Sequence, residues 1–173
     1  MIREDDKKSQ VLFLKEMGPN LVKIINKLLS NQTLLRLLTY TDKDPLDPDK
    51  PNIKKRSVYQ DGAHGNIRIV PMLPNKEDET SVLVLRVNRG VPASTNEEVL
   101  NIFFTIEIFV PMTQWVIKGD NLRPYAIMGE IQKSLQNEFI NGLGTIRGSG
   151  FQSNFITEEM TNFMMHYTIT QFN

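Results

Sequence analysis

From Val99 to Met112 the chain alternates with a period of two residues. Ile102, Phe104, Ile106, Ile108 and Val110 fall on one side, and Phe103, Thr105, Glu107 and Phe109 on the other, until Pro111 limits the run. A helix would scatter these side chains around its circumference. The pattern therefore demands a strand, and a strand so apolar on one face needs sheet neighbours and a covering layer. Ser81 to Arg89 supplies a neighbour, with Leu83, Leu85 and Val87 on one face and Val82, Val84 and Arg86 on the other. Asn88-Arg89-Gly90 to Asn96 reads as the turn or loop between them. Ile67 to Val70 is a shorter strand stopping at Pro71. Phe103 and Phe109 stand on the face that alternation assigns to water. Two covers are open for them: another subunit, or the N-terminal helices.

Gln10 to Tyr40 reads as helical. Leu21, Ile24, Ile25, Leu28 and Leu29 follow the spacing of one helix face, and Gly18-Pro19 is expected to break this segment from an earlier turn or two. Ser30-Asn31 ends it and can cap a further helix from Gln32 to Leu38. A core-facing helix pair is the first reading of these leucines, a partner-binding or membrane-surface helix the second. A later helix opens at Asp120-Asn121-Leu122-Arg123-Pro124. Asp120 or Asn121 is expected to cap it, Ile127, Ile131, Leu135 and Phe139 to form its apolar face, and Asn141-Gly142 to stop it. Leu143 to Phe155 and Met164 to Phe172 follow as extended segments, with Glu158-Glu159 a polar turn between them.

Between helices and sheet, Thr41 to Asn66 sets Asp42, Asp44, Asp47 and Asp49 among Pro45, Pro48 and Pro51, so neither helix nor central strand can run through. Loops of this length are uncommon without a function. This one is expected to contact a different protein rather than its own domain, so that Pro48 to Ile53 could be removed without loss of the fold. It also holds the one basic cluster, Lys54-Lys55-Arg56. The sum is one α+β domain over residues 1–173: a helical segment to residue 40, an extended loop over 41–66, and a sheet plus helix from 67 on. The sheet is expected to be mainly antiparallel, packed by the N-terminal helices and by one helix of the C-terminal half.

Composition narrows the function. Twenty basic and 20 acidic residues cancel, which removes any global electrostatic case for nucleic acid or a membrane surface. There is no cysteine, hence no disulfide, thiolate metal site or cysteine nucleophile, which fits folding in a reducing cytoplasm. The charged N-terminus lacks the apolar core of a signal peptide, and no apolar run approaches the ~20 residues of a membrane span.

No constellation supports catalysis or a cofactor. The acidic run from Asp42 offers hard-cation ligands, but the sixth and twelfth positions of an EF-hand loop hold Asp47 and Ile53 instead of glycine and glutamate. The glycines between Gly142 and Gly150 follow a helix and lead into a strand, the reverse of a phosphate-cradling loop, and suit a strand with close backbone approach. His64 and His166 lie far apart without companion ligands. Trp115, at the end of the long strand, reads as a packing anchor or as a subunit contact.

Several short phrases occur in a telling order: Leu37-Leu38-Thr39-Tyr40 running into Asp44-Pro45-Leu46, Arg123-Pro124 before a helix, Asn141-Gly142-Leu143-Gly144 after it, and a final Tyr167-Thr168-Ile169 strand. The order resembles that of the tail-terminator, or tail-completion, proteins in the neck of long-tailed bacteriophages, over roughly Leu34 to Phe172. The resemblance implies a structural virion protein assembled in the host cytoplasm. It would form a ring of six subunits that ends tail-tube growth and docks the tail to the head connector, in contact with adjacent neck proteins, the tail tube and, in a contractile tail, the sheath. DNA would pass through without being read, with Lys54, Lys55 and Arg56 turned away from the channel. Asp44, Pro45, Leu46, Lys54, Lys55, Arg56, Phe103, Phe109 and Trp115 are the candidate contact residues; none is assigned to catalysis, metal or cofactor. A neighbouring neck protein, either a head-completion stopper or a connector-joining protein, is the alternative, and a small-molecule enzyme a more distant one.

Overall fold

A computed structural model of the chain describes residues 4–70, 79–93, 96–155 and 158–172. The elements are α1 (Glu4–Leu28), α2 (Gln32–Thr39), α3 (Lys55–Val58), β1 (Ile67–Arg68), β2 (Val82–Ala93), β3 (Asn96–Pro111), a 3-10 turn (Met112–Gln114), β4 (Val116–Ile117), β5 (Asn121–Leu122), α4 (Arg123–Leu135), β6 (Phe139–Ile140), β7 (Gly144–Phe155) and β8 (Met160–Phe172). Six strands form one sheet in the order β1-β2-β3-β8-β7-β6, antiparallel except where β1 pairs with β2, and β4-β5 is a separate two-stranded ribbon. The expected α+β class, a mostly antiparallel sheet backed by helices, is what the chain adopts.

The alternation read in β3 is the organising fact. Ile102, Phe104, Ile106, Ile108 and Val110 all join the main core, together with Leu83 and Leu85 from β2 and Ile146 and Ile169 from β7 and β8. Ile24, Ile25 and Leu28 of α1, the leucines of α2, and Ile127, Ile131 and Leu135 of α4 cover that face. The leucine-rich stretch is thus a core-facing helix pair. It follows that the N-terminal helices do not cover Phe103 and Phe109, because their apolar stripe is spent on the opposite side of the sheet. Phe109 is instead buried in a small second cluster with Val82 and Val84, with Met160 packed against it.

Several local expectations are corrected. The helix α1 runs straight through Gly18-Pro19. Lys15 and Pro19 both face solvent, so water can satisfy the carbonyl that the missing proline N–H leaves free. The connection after Asn88 is tighter than a loop, since β2 and β3 stay paired out to Ala93 and Asn96, with a register shift between Val87 and Arg89. The helix α4 has neither expected cap. Leu122 occupies the N-cap position without a side-chain bond, Asp120 adopts a left-handed φ of 55°, and the Arg123 N–H donates to the Trp115 carbonyl at 2.8 Å. The helix also ends early, at Leu135, where Asn137 supplies the left-handed residue with φ 61°. Phe139 therefore lies on β6, exposed, rather than on the helix face. Asn31, by contrast, caps α2 as expected, its Oδ1 accepting from the Leu34 N–H at 3.0 Å.

The close backbone approach expected of the glycine run is found at Gly144. Its φ is 102°, and a Cβ there would stand inside the contact distance of the Thr170 carbonyl oxygen. Gly144→Ala is accordingly expected to cost about 1–3 kcal/mol, from an unfavourable dihedral and a clash with backbone that cannot move aside. Urea unfolding of the two proteins measures it. An unchanged midpoint would mean that β6 and β7 are not pinned against β8 there.

Candidate interaction site around the Arg123 clasp

Arg123, wholly buried at the first position of α4, gathers a concentrated set of partners. Its Nε donates to the Gln114 carbonyl at 2.9 Å, Nη1 to the carbonyls of Leu37 and Tyr40 at 2.7 and 2.5 Å, and Nη2 to that of Asp42 at 2.6 Å. A guanidinium is the one side chain with a rigid fan of donors that can serve four carbonyls. Burial pulls its pKa below the ordinary arginine range while nearby Asp42 opposes the shift. One residue thus ties the end of α2, the first turn of the long loop and the segment after β3 to the start of α4.

A second arginine holds the rest of the loop. Arg36 donates to the carbonyls of Asp47 and Lys50 at 3.1 and 2.7 Å and to Asn52 Oδ1 at 3.2 Å, and Tyr40 Oη donates to the Pro51 carbonyl at 2.9 Å. Asp42 and Asp47 each fold the backbone back on itself, accepting from the N–H two residues ahead at 2.8 and 2.9 Å. The loop's negative charge meets the chain's own lysines. Lys50 Nζ sits against both Asp42 oxygens at 2.5 and 2.6 Å and the Asp44 carbonyl at 2.6 Å, and it lies 4.8 Å from the Tyr40 ring centroid. Lys118 Nζ reaches Asp44 Oδ2 at 2.6 Å. The hydrogen bond from Lys50 holds the Asp42 carboxyl below its usual range, with partial desolvation pulling the other way, and the bond to Asp44 raises the pKa of Lys118.

These contacts overturn one expectation. The loop does not stand off its own domain: Pro45 and Val58 are buried, and Ile53 and Tyr59 pack against the core. Removing Pro48 to Ile53 would take away the Lys50 carbonyl and Asn52 Oδ1 that Arg36 binds and the Pro51 carbonyl that Tyr40 binds, so the fold would not survive that deletion intact.

The structure gathers some of the candidate residues and separates others. Asp44, Pro45 and Leu46 sit at the clasp, and Trp115 lies beside it through the Trp115 carbonyl and the Lys118 N–H, which donates to the Lys43 carbonyl at 2.7 Å. Leu46 alone of the three is apolar and open, at 41% exposure. Trp115 follows the 3-10 turn rather than ending β3. Its Nε1 donates to Thr161 Oγ1 at 2.9 Å and its ring lies 6.1 Å from that of Phe163, so it anchors its own domain. Lys54, Lys55 and Arg56 are exposed around the start of α3. Phe103 and Phe109 lie on the far face of the sheet, Phe103 half-buried with the Arg89 guanidinium 4.4 Å from its ring centroid.

Sequence reading missed Arg123, Arg36, Lys50 and Lys118. The signal for Arg123 was an arginine opening a helix whose next residues are core-facing, where the macrodipole disfavours a cation, so that a specific partner set had to offset the position. The His64 region is a separate small turn. Asp61 accepts from the N–H groups of Ala63 and His64, both at 2.9 Å, and lies 2.7 Å from His64 Nδ1. These bonds hold its carboxyl at about 2, below the usual 3.8. A depressed folded-state pKa contributes stability above the unfolded value and loses it as pH falls through the folded one. Asp61→Asn should therefore be less stable than the parent at neutral pH, and the gap should close between pH 3.8 and about 2. Urea midpoints taken across that range would show it, and a gap independent of pH would refute it.

These features define an α+β protein whose helix-backed sheet carries a clasped, charged loop. Residues 31–169 match the YomW family model, and the chain belongs to that family. The family is phage-derived, which makes this a phage-associated protein. The match opens at the Asn31 cap and closes in β8, taking in the loop, the clasp and the sheet but not α1. No curated protein matches the chain.

Proposed function

We propose that this is a structural protein of the phage neck, which forms a ring of six subunits, ends growth of the tail tube and joins the tail to the head connector. The observation that carries this reading is the Arg123 clasp. The phrases on which the resemblance to tail terminators rests are far apart in sequence, yet one guanidinium binds the Leu37 and Tyr40 carbonyls and lies at the head of the Arg123-Pro124 helix, with the Asp44-Pro45-Leu46 turn two residues from its Asp42 contact. A clasp of this kind presents a preorganised loop, with Leu46 open at its tip, and preorganisation lowers the entropy lost when an adjacent ring docks. The work is binding, without chemistry on a substrate. Lys54, Lys55 and Arg56 serve protein contacts beside the same loop, and DNA passes without being read.

The test is a phage genome carrying the gene with a stop codon early in the reading frame. Tail tubes are expected to run past their normal length and to remain unattached to heads, and added purified protein should restore joining. Infectious particles in normal yield would overturn the reading. Tails of normal length beside unjoined, filled heads would favour a head-completion stopper or connector-joining protein instead.

A further inference from the structure

The two edges of the six-stranded sheet are each closed over one half only, and the closed halves are diagonally opposed. Following the register across the sheet, Val84 is level with Glu107, Met164 and Gln152, and Val91 is level with Asn101, Thr170 and Thr145. The strand β1 covers the outer side of β2 at the first level, through Arg68 and Val84, and β6 covers the outer side of β7 at the second, through Phe139 and Thr145. Beyond those contacts no strand among the described residues pairs with the outer side of Arg86–Pro92 of β2 or of Gly150–Asn154 of β7. Exposure agrees: Asn88, Arg89, Gly90 and Pro92 are open on β2, and every residue from Arg147 to Asn154 is open on β7, with Phe151 at 61%. Long bare edges of this kind are normally blunted or covered.

We propose that these two half-edges pair with each other in neighbouring copies of the chain, β7 of one subunit adding to β2 of the next. Three features make them compatible. The three antiparallel pairings between β2 and β7 leave the two strands running in opposite directions, so a head-to-tail neighbour presents β2 antiparallel to β7. Charge does not oppose the pairing: Arg86–Pro92 of β2 carries Arg86, held by Glu107 of its own sheet, and Arg89, and Gly150–Asn154 of β7 is uncharged. The third feature is the offset. Because β1 and β6 block a flush meeting, each copy must slip along the strands by about five to seven residues, roughly 20 Å. Four strands per copy span ~19 Å across the sheet. The resulting slope is about 45°, at the upper end of the 35–45° at which strands tilt when a sheet closes on itself. The slip that the capping strands enforce is thus of the size that lets a series of copies close without rising. This deepens the ring reading above and rests on it for closure.

The chain has no cysteine, so introduced pairs report cleanly. Gln152→Cys would be combined in turn with Asn88→Cys, Arg89→Cys, Gly90→Cys and Val91→Cys, and each protein oxidised at raised concentration. An intermolecular disulfide needs facing residues about 4.4–6.8 Å apart between Cα atoms, so one or two combinations should give a ladder of linked chains and their neighbours little. Ser153→Pro and Asn154→Pro, each added to the combination that links best, provide the second arm. Adjacent strand residues aim their N–H groups at opposite sides, so one of the two proteins should melt like the parent, and in that one the ladder should fall about ten-fold or more. Native mass spectrometry separates the two ideas. A discrete ring that gives no ladder overturns strand addition and leaves the ring. A ladder without a discrete species supports strand addition and overturns closure. A monomer with neither overturns both.

Discussion

Arg123→Ala is expected to be among the most damaging single substitutions in this protein. The guanidinium makes four hydrogen bonds to carbonyls from three separate segments, all out of contact with solvent at its own side chain. Hydrogen bonds from a charged donor contribute about 1.5–3 kcal/mol each in isolation, and acceptors stranded in the interior add their own desolvation cost. These terms overlap, because the freed loop can turn some carbonyls to water. The expected loss is therefore about 3–5 kcal/mol, equivalent for a chain of this size to a fall in melting temperature of roughly 10 °C. Arg123→Lys should recover only part of it, since an ammonium offers three donors from one point and cannot span the same carbonyls. Limited proteolysis should then show new cleavage after Lys43 and Lys50, whose loop the arginine no longer holds. A variant that melts like the parent, with the loop still resistant, would show that the clasp follows from the fold instead of supporting it.

Ile106→Asp is the second. Ile106 is fully buried at the centre of β3, opposite Leu85 on one side and Met165 on the other, under the helices. A carboxylate placed there has no partner among the surrounding core residues, so it must be buried charged, protonated at a cost, or expelled by unfolding. The expected loss is about 4 kcal/mol or more, enough to deplete the folded state of a marginally stable domain. Ile106→Val, which only trims a methyl group, should cost about 0.5–1.5 kcal/mol and serves as the control for side-chain shape. Cooperative melting of soluble Ile106→Asp at the parent temperature would mean that the two faces of β3 are the reverse of those described.

Both substitutions bear on what could be read from sequence. The strand faces of β2 and β3 were legible, since alternation of period two leaves one assignment that buries Leu83, Ile106 and Ile108 together. So were the helix pair and the Asn31 cap, because each depends on residues within a few positions of one another, whereas the close approach at Gly144 is to the Thr170 carbonyl of β8, far along the chain. The ends of α4 were not. Asp120 and Asn121 have the chemistry of caps, but the Trp115 carbonyl takes the Arg123 N–H and the chain is already turning through β5. Pro19 likewise carries the local signature of a helix break, and only the fold shows that the Lys15 carbonyl it leaves free faces water.

What the sequence by itself determined is the set of local periodicities, which stretches are strand or helix and which face of each is apolar, and, with no cysteine, that there is no thiolate site. What only the tertiary structure decided is where distant groups converge. Arg123 lies 81 to 86 residues from the Leu37, Tyr40 and Asp42 carbonyls it binds, Lys118 lies 74 from Asp44, and the half-open sheet edges depend on which short strands cap which ends. Periodicity is a property of neighbours along the chain and can be read there. A carbonyl has no side-chain identity, so nothing in the sequence marks which ones an arginine will bind; only the packing of α2, the loop and α4 brings them within reach.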